Sequence, residues 1–368
     1  MAQILPPHLF FRRRFPHQYG PAFSQRRVGT KSGPTSIFPR LLLVLVALTQ
    51  LSPPSLGQQD SKKAPATPLE AVLQLNLPHH AGIVPVYYSS CCRERAFEIQ
   101  NALESFASFY KEKLGIASDL SVAVLDESDW KRVSEKMPPG LLPNGEKLPP
   151  GLPPYGMTNV QPPPLPRAQY EYVAFIPTDD QGVITQNELA DRPYATAATL
   201  RIFASAHLTY DDAARRFILH PAYHEVGHTL VRQYGIEVPN HWLNEMLASY
   251  FAYAYEKARD RETATIVEGF TKMSSPPIAY TSLEDFEAHP MMDTANYTWY
   301  QWQFESRIGE VYRQQGLGFL AKVRTAFPKG TPDISVPDTV ARLEAISPGF
   351  QAWAKALSEH KSKAVPSH

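Results

Sequence analysis

The segment PAYHEVGHTLVRQYG, residues 221–235, decides the fold of this chain. Its leading proline suits the first turn of a helix and its final glycine suits a C-terminal stop, so it predicts one helix over 221–234. Residues four apart share a helical face, which places His224 and His228 side by side. Glu225 lies one position round the same helix. We therefore expect both imidazoles to reach one metal ion, while Glu225 stays free to hold a water molecule.

The following segment, NHWLNEMLASY, residues 240–250, supplies a further carboxylate, Glu245. A short connection makes two helices antiparallel neighbours, so Glu245 can lie opposite His224 and His228. Two histidines and a carboxylate leave a fourth tetrahedral position for water, which is the ligand set of a catalytic zinc ion. We expect one Zn²⁺ per chain, held by these three residues. Glu225 is then the base that activates the bound water.

The paired histidines and the Trp-Leu-Asn-Glu segment ending at Glu245 resemble the gluzincin metallopeptidases, the thermolysin-like clan. The resemblance extends over residues 83–357 and implies a zincin-like α+β fold, a peptide or protein substrate and a tyrosine that stabilises the oxyanion. Tyr297 and Tyr300 are the candidates, and the distance to Gly316 favours Tyr300. The Gly-Ala-Met-Glu-Asn segment of the clan's aminopeptidases does not occur in the sequence, so we expect an endopeptidase or a specialised processing enzyme.

Other polar residues near the motif have secondary roles in this interpretation. Ser249 follows the carboxylate ligand by four residues and can orient a ligand histidine. His241 or Glu237 is the third ligand if Glu245 is not. The remaining histidines, including His220, have no partner spacing and are interpreted as structural or solvated.

A rival hypothesis is a catalytically silent, exported zincin-fold protein that binds a partner or serves as a scaffold. Its partner would engage the proline-rich segment 137–166, which contains eleven prolines. Such a segment predicts an extended surface excursion, although a flap beside a cleft is also open. A structural zinc site closes its fourth position with protein and needs no glutamate beside it. Glu225 therefore favours the enzyme.

Composition excludes some classes of protein. The chain has 36 Lys plus Arg and 36 Asp plus Glu, so no global field attracts nucleic acid or an anionic membrane. Its 368 residues, 43% of them apolar, can bury a full core in one or two domains. The oligomeric state is not indicated. The only cysteines, Cys91 and Cys92, are neighbours outside the usual Cα separation of a disulfide, which predicts two thiols.

The N-terminal segment is typical of a leader. Residues 1–59 contain basic residues and no Asp or Glu. The apolar run 41–51 is too short to span a bilayer but fits the core of a signal peptide, with small residues before a cleavage point near Gly57. We expect export to the periplasm or the extracellular space. A membrane anchor at 41–51 and an organellar transit peptide are the alternatives.

The chain is predicted to have a small mixed β-sheet half followed by a mostly helical half. The predicted segments are a leader (1–57), a linker (58–67), an α+β half (68–200) with the proline-rich insertion, a helical zinc-binding half (201–360) and a tail (361–368). Hydrophobic patterning predicts strands at 83–89, 120–125 and 170–177 and a helix at 94–114. It predicts later helices at 211–219, 221–234, 241–258, 297–315, 317–326, 336–345 and 348–359. The last strand could pair with an extended substrate.

Overall fold

The computed structural model describes residues 68–117, 120–136, 172–177, 183–289 and 292–360. All of them belong to one compact unit, Arg40–His368. The predicted leader with its signal-peptide run and cleavage point, the linker, the proline-rich insertion and the C-terminal tail lie outside the described residues.

Four strands form one mixed sheet in the order β1-β2-β3-β4. They are β1 (His79–His80), β2 (Val86–Tyr88), β3 (Leu120–Leu125) and β4 (Tyr172–Pro177). β1 pairs with β2 antiparallel, whereas β2, β3 and β4 run parallel. β3 and β4 are apolar and almost wholly buried, which is typical of parallel strands covered on both faces. The three predicted strands are confirmed, and the first is shorter than predicted.

Three helices accompany the sheet: α1 (Pro68–Leu73), α2 (Arg93–Leu114) and α3 (Glu127–Ser134). Along α2 the buried residues recur every three or four positions, as at Ile99, Leu103 and Phe106, so one face packs on the sheet. Gly115, with φ of +69°, ends α2 in the left-handed conformation. The predicted helix 94–114 is confirmed.

The rest of the described chain is helical apart from turns and loops. Its helices are α4 (Val183–Ala190), α5 (Ala197–Ser205), α6 (Tyr210–Arg216), α7 (Leu219–Gln233), α8 (His241–Arg259), α9 (Arg261–Phe270), α10 (Leu283–Ala288), α11 (Thr294–Gln315), α12 (Gly318–Ala326), α13 (Val336–Ile346) and α14 (Phe350–Ser358). The seven later helices predicted from hydrophobic patterning are confirmed, whereas α4, α5, α9 and α10 have no counterpart in that set. No helix of the described residues is long and apolar enough to cross a bilayer.

α8 lies at the centre of the helical half. Nearly every residue from Trp242 to Glu256 is buried, so this helix has no broad polar face and packs on several sides. It contacts α7, α9, α10 and α11. One core includes Val122 and Ile176 of the sheet together with Phe304 of α11. The sheet and the helices therefore share a core in an α+β arrangement, and α7 contacts both parts.

α7 and α8 approach most closely at Gly227. A Cβ atom at this position would lie 2.4 Å from the backbone oxygen of Ala248, closer than two such atoms can come. Only glycine permits this distance between the two backbones. The contact fixes how near α8 comes to the face of α7 that carries the two motif histidines.

Cys91 and Cys92 form a disulfide where the chain turns from β2 into α2. The expectation of two thiols is therefore wrong. Cys92 has φ of −129° and ψ of 36°, outside the helical region, at the residue before α2. In this backbone conformation the two Sγ atoms meet although their Cα atoms are only 3.8 Å apart, which the Cα separation alone does not indicate.

Candidate metal centre

The two motif histidines converge on one point. His224 and His228 lie on successive turns of α7, and their Nε2 atoms are 3.1 Å apart. His224 is buried and the His228 ring is largely so. Their spacing along the helix places both rings on the face turned towards α8.

Glu245 reaches the same point from α8. Its Oε2 lies 3.4 Å from His224 Nε2, and its Oε1 lies 3.6 Å from His228 Nε2. The carboxylate is completely buried. The structure thus brings together the three residues predicted as ligands, across the close helix contact at Gly227.

These separations fit the ligands of a zinc ion. Nitrogen and oxygen ligands about 2.0–2.2 Å from tetrahedral zinc lie roughly 3.3–3.6 Å from one another. The two Nε2 atoms are 3.1 Å apart and each lies near a different oxygen of Glu245, at 3.4 and 3.6 Å, so these contacts are close to that range. Glu245 Oε1 is buried and accepts no hydrogen bond from the described residues. A buried carboxylate oxygen without a donor is unfavourable unless a cation lies beside it, so these residues can hold one metal ion.

Glu225 is a second carboxylate at this cluster. Its ligand atom and those of His224 and His228 all lie within 4.8 Å of one another. By mutual distance alone Glu225, and not Glu245, completes a three-residue metal group. We favour Glu245 as the ligand because it contacts both imidazoles and keeps a buried oxygen without a donor. Glu225 instead lines the pocket beside the cluster, where a water molecule has access.

Residues of α8 also contact the far ring nitrogens of both histidines. His224 Nδ1 is 2.9 Å from the Oγ atom of Ser249, the residue predicted from sequence to orient a ligand histidine. His228 Nδ1 is 3.1 Å from the side-chain amide of Asn244, a residue that the sequence did not single out. A histidine that binds metal through Nε2 carries its proton on Nδ1. Ser249 Oγ can accept that proton directly, and Asn244 can accept it through its amide oxygen after the amide rotates by 180°.

The two candidate tyrosines of α11 differ in position. The Tyr297 hydroxyl donates to Glu245 Oε2 at 2.9 Å and accepts from Gln301 Nε2 at 2.7 Å. The Tyr300 hydroxyl donates to the backbone oxygen of Ser282 at 2.6 Å, before α10. Tyr297, and not the Tyr300 favoured from sequence, therefore lies at the cluster. Tyr297 and Gln301 are four residues apart and share the face of α11 turned to α8. This spacing is the one sequence signal that could have indicated that Gln301 lies at the cluster.

Burial and neighbouring charges set the protonation states. Burial lowers the pKa of His228 to about 4, against the opposing attraction of Glu245. For Glu245 burial alone would raise the pKa, but His228 and His224 outweigh it and hold the pKa well below its ordinary value. A neutral imidazole and an ionised carboxylate are the forms that bind a metal ion.

The two alternatives to Glu245 as the third ligand, His241 and Glu237, lie in different parts of the structure. His241 lies one turn before Glu245 on α8, with its Nε2 atom 3.6 Å from Glu245 Oε1. Its Nδ1 atom is buried and has no hydrogen-bond partner among the described residues. Glu237 lies in the loop between α7 and α8, where its backbone N–H donates to the carbonyl of Phe327 at 2.9 Å. Of these two residues, His241 is the one beside the cluster.

A pocket opens beside the cluster. His224, Glu225 and Tyr297 line one part of it, and aromatic side chains such as Phe217 and Trp302 form much of its wall. The cavity volume is about 110 Å³. Binding sites for small ligands are typically mostly apolar with a few polar groups, and this cavity has that character. The candidate metal position therefore borders a cavity that a group of a ligand can enter.

Comparison with protein-family models, with curated proteins and with solved structures finds no match to this chain.

Proposed function

We propose that this chain is a zinc-dependent peptidase of the gluzincin type, with a zincin-like fold. The observation that supports this most is the convergence of His224, His228 and Glu245 beside a pocket lined by Glu225. Three ligands and an adjacent carboxylate are what zinc-assisted hydrolysis requires.

Each residue has a definite task in this proposal. A zinc ion held by His224, His228 and Glu245 would polarise the scissile carbonyl and lower the pKa of a bound water. Glu225 accepts the proton of the attacking water and later donates it to the leaving amine. The Tyr297 hydroxyl donates its one proton to Glu245 Oε2 and so orients this ligand; to act on an oxyanion in the pocket it would turn from Glu245 to the oxyanion.

The strand predicted to pair with an extended substrate is β4 (Tyr172–Pro177), at the end of the strand order of the described sheet. Val173, Ala174, Phe175 and Ile176 are at most 1% exposed, so their backbone is not accessible for strand addition. We propose that the substrate is a peptide or protein that is cleaved internally and binds at the pocket beside the cluster.

The scaffold hypothesis is less well supported. A purely structural metal site is closed by protein on all sides. Here Glu225 and His224 both line a pocket, so a substrate and a water molecule can reach the candidate metal position. This access favours catalysis.

We also propose export, with cleavage near Gly57. The disulfide of Cys91 and Cys92 supports this location, because disulfides persist in oxidising compartments. N-terminal sequencing of the native protein tests the proposal. An intact run 41–51 in protein extracted from membranes would instead support the anchor.

The deciding experiment compares the wild type with Glu225→Gln. Gln is nearly isosteric with Glu and the three ligands are unchanged, so zinc content and thermal melting should be retained. Hydrolysis of casein should fall by about a hundredfold to ten-thousandfold, because Gln cannot accept the proton. Equal hydrolysis by both proteins would show that Glu225 is not the base. Stoichiometric zinc in both, without hydrolysis by either, would favour the scaffold.

A further inference from the structure

The pocket has a second polar region, one turn earlier along α7. His220, Glu188 and Glu305 line it, together with residues of the candidate metal centre. His220 and His224 are four residues apart, about 6 Å along a helix axis. The two regions therefore lie at distances that a single side chain of a bound peptide can bridge.

His220 lies between two buried carboxylates. Its Nδ1 atom is 2.8 Å from Glu256 Oε1 and its Nε2 atom is 3.0 Å from Glu305 Oε1. Burial alone would lower the pKa of His220, but Glu256 and Glu305 raise it to about 10. His220 is therefore an imidazolium that balances one of the carboxylates, and its two nitrogens are both engaged.

Two carboxyl groups of the pocket each keep one oxygen without a donor. Glu188 and Glu305 are each only 5% exposed. Glu305 Oε1 is paired with the His220 imidazolium, whereas Glu305 Oε2 and Glu188 Oε2 have no hydrogen-bond partner among the described residues. Buried polar atoms without partners are unfavourable. In a pocket, this deficit indicates a ligand that supplies donors.

The charge of the pocket favours a cationic ligand. The described residues that line it include three glutamates and one histidine cation, His220, but no lysine or arginine. Burial, and then the charge of Asp191, raise the pKa of Glu188 well above its ordinary value, and a cation beside Glu188 would favour its ionised form. Because the His220 imidazolium is already paired with Glu256 and Glu305, the pocket favours a cation over an anion.

The walls favour an organic cation over a metal ion. Phe217, Phe270 and Trp302 line the approach and can cover an aliphatic stem or stack on a guanidinium. A metal ion needs ligand atoms that converge, and among the described residues such a group lies at the candidate metal centre and not at Glu188 and Glu305.

We propose that this acidic region is a specificity subsite that binds the ammonium or guanidinium group of a Lys or Arg side chain next to the scissile bond. Glu188 and Glu305 accept the hydrogen bonds, and the aromatic wall covers the stem. This proposal rests on the proposed peptidase function, because the subsite is adjacent to the candidate metal centre.

Peptide binding and cleavage test the subsite separately. The probes are end-blocked alanine hexapeptides in which Lys or norleucine is moved through each position. Their binding to the Glu225→Gln protein is measured by calorimetry, and their hydrolysis by the wild type is measured as kcat/KM. At one position the Lys peptide should have roughly tenfold or more higher affinity and kcat/KM than the norleucine peptide. Norleucine lacks the ammonium group and therefore loses a hydrogen bond to a charged group.

Glu188→Gln should reduce the preference for the Lys peptide, expressed as the ratio of its affinity or kcat/KM to that of the norleucine peptide, by roughly tenfold. Glu262→Gln is the control, because Glu262 is an exposed carboxylate of α9 that does not line the pocket, and it should leave the ratio unchanged. Thermal melting verifies that each variant is folded; Gln is nearly isosteric with Glu, so both variants should fold.

Each result bears on one proposal. If all peptides are cleaved but Lys and norleucine are equal in cleavage and binding, the subsite is refuted and the peptidase stands. If no peptide is cleaved but Lys binding persists and requires Glu188, the subsite stands and the peptidase falls. If unblocked peptides bind through their amino terminus and blocked Lys peptides do not, the side-chain assignment is refuted.

Discussion

Two histidines of the same helix have opposite electrostatic properties. His220 and His228 lie two turns apart on α7 and are both largely buried. Burial lowers the pKa of His228 to about 4. At His220 burial acts in the same direction, but Glu256 and Glu305 raise the pKa to about 10. One histidine is therefore neutral and the other is a cation at neutral pH.

The difference arises from what each ring nitrogen contacts. Both nitrogens of His220 face carboxylates, so the proton is retained and neither nitrogen can bind a metal ion. His228 has the Asn244 amide at Nδ1, and its Nε2 atom faces His224 and Glu245. The same helix thus carries a paired imidazolium and the two candidate metal-binding histidines. Partner atoms, and not the histidines themselves, determine the role.

The largest expected effect is on metal content. His224→Ala or Glu245→Ala should abolish stoichiometric zinc, because each removes one of three ligands. His220→Gln should retain it, since His220 does not face the metal position. Zinc is measured by mass spectrometry on protein shown to be folded by circular dichroism. Zinc retained in Glu245→Ala would assign the third ligand to Glu225 or His241.

The next largest effect is expected on the stability of the fold when His220 is replaced. His220→Leu should destabilise the fold by about 3–5 kcal/mol, because it leaves Glu256 and Glu305 buried without their cation. Urea unfolding measures this change. His220→Gln, which can still donate a hydrogen bond, is the control and should lose less. An unchanged free energy of unfolding for His220→Leu would refute the charged state.

The raised pKa of His220 predicts that the free energy of unfolding depends on pH. The pKa of His220 is raised from 6.5 in the unfolded chain to about 10 in the fold. Its contribution to stability is therefore fully present below about pH 6.5 and is lost as the pH rises through 10. The difference in unfolding free energy between wild type and His220→Leu should shrink from pH 6 to pH 10. A difference that grows over this range would contradict the assignment.

A somewhat smaller effect is expected at the helix contact. Gly227→Ala should destabilise the protein by about 3 kcal/mol and weaken zinc binding, because its Cβ would meet the Ala248 backbone oxygen at 2.4 Å. Gly309→Ala in α11 is the matched control, since its Cβ would have the Tyr253 hydroxyl oxygen as its nearest neighbour at 3.4 Å. It should be neutral or stabilising by about 0.4–1 kcal/mol. Equal thermal melting of the two variants would show that the close approach is not required.

The smallest effect separates the two tyrosines. Tyr297→Phe should lower kcat by roughly tenfold to a hundredfold, because it removes the hydroxyl that donates to the charged Glu245 carboxylate. Tyr300→Phe removes only the hydrogen bond to the Ser282 carbonyl, so it should reduce stability by about 1 kcal/mol without changing kcat. The reverse result would restore Tyr300 as the oxyanion donor.

Local sequence indicated most of the helices and strands and the candidate ligands, but not β1, α4, α5, α9 or α10. The spacing of His224 and His228 and the terminal Gly235 predict α7 because helical periodicity and stop signals act between neighbours in the chain. The same holds for Glu245, whose segment forms the next helix after a short loop. The hydrophobic patterns of β3 and α2 predict these two elements in the same way. These signals involve residues only a few positions apart.

Contacts between residues distant in the chain were decided only by the tertiary structure. Tyr297 meets Glu245 across 52 positions and His220 meets Glu256 across 36, so no local pattern separates Tyr297 from Tyr300 or marks His220 as charged. The physical reason is that pKa values and hydrogen-bond partners depend on which groups exclude water from one another. That exclusion exists only once the helices have packed.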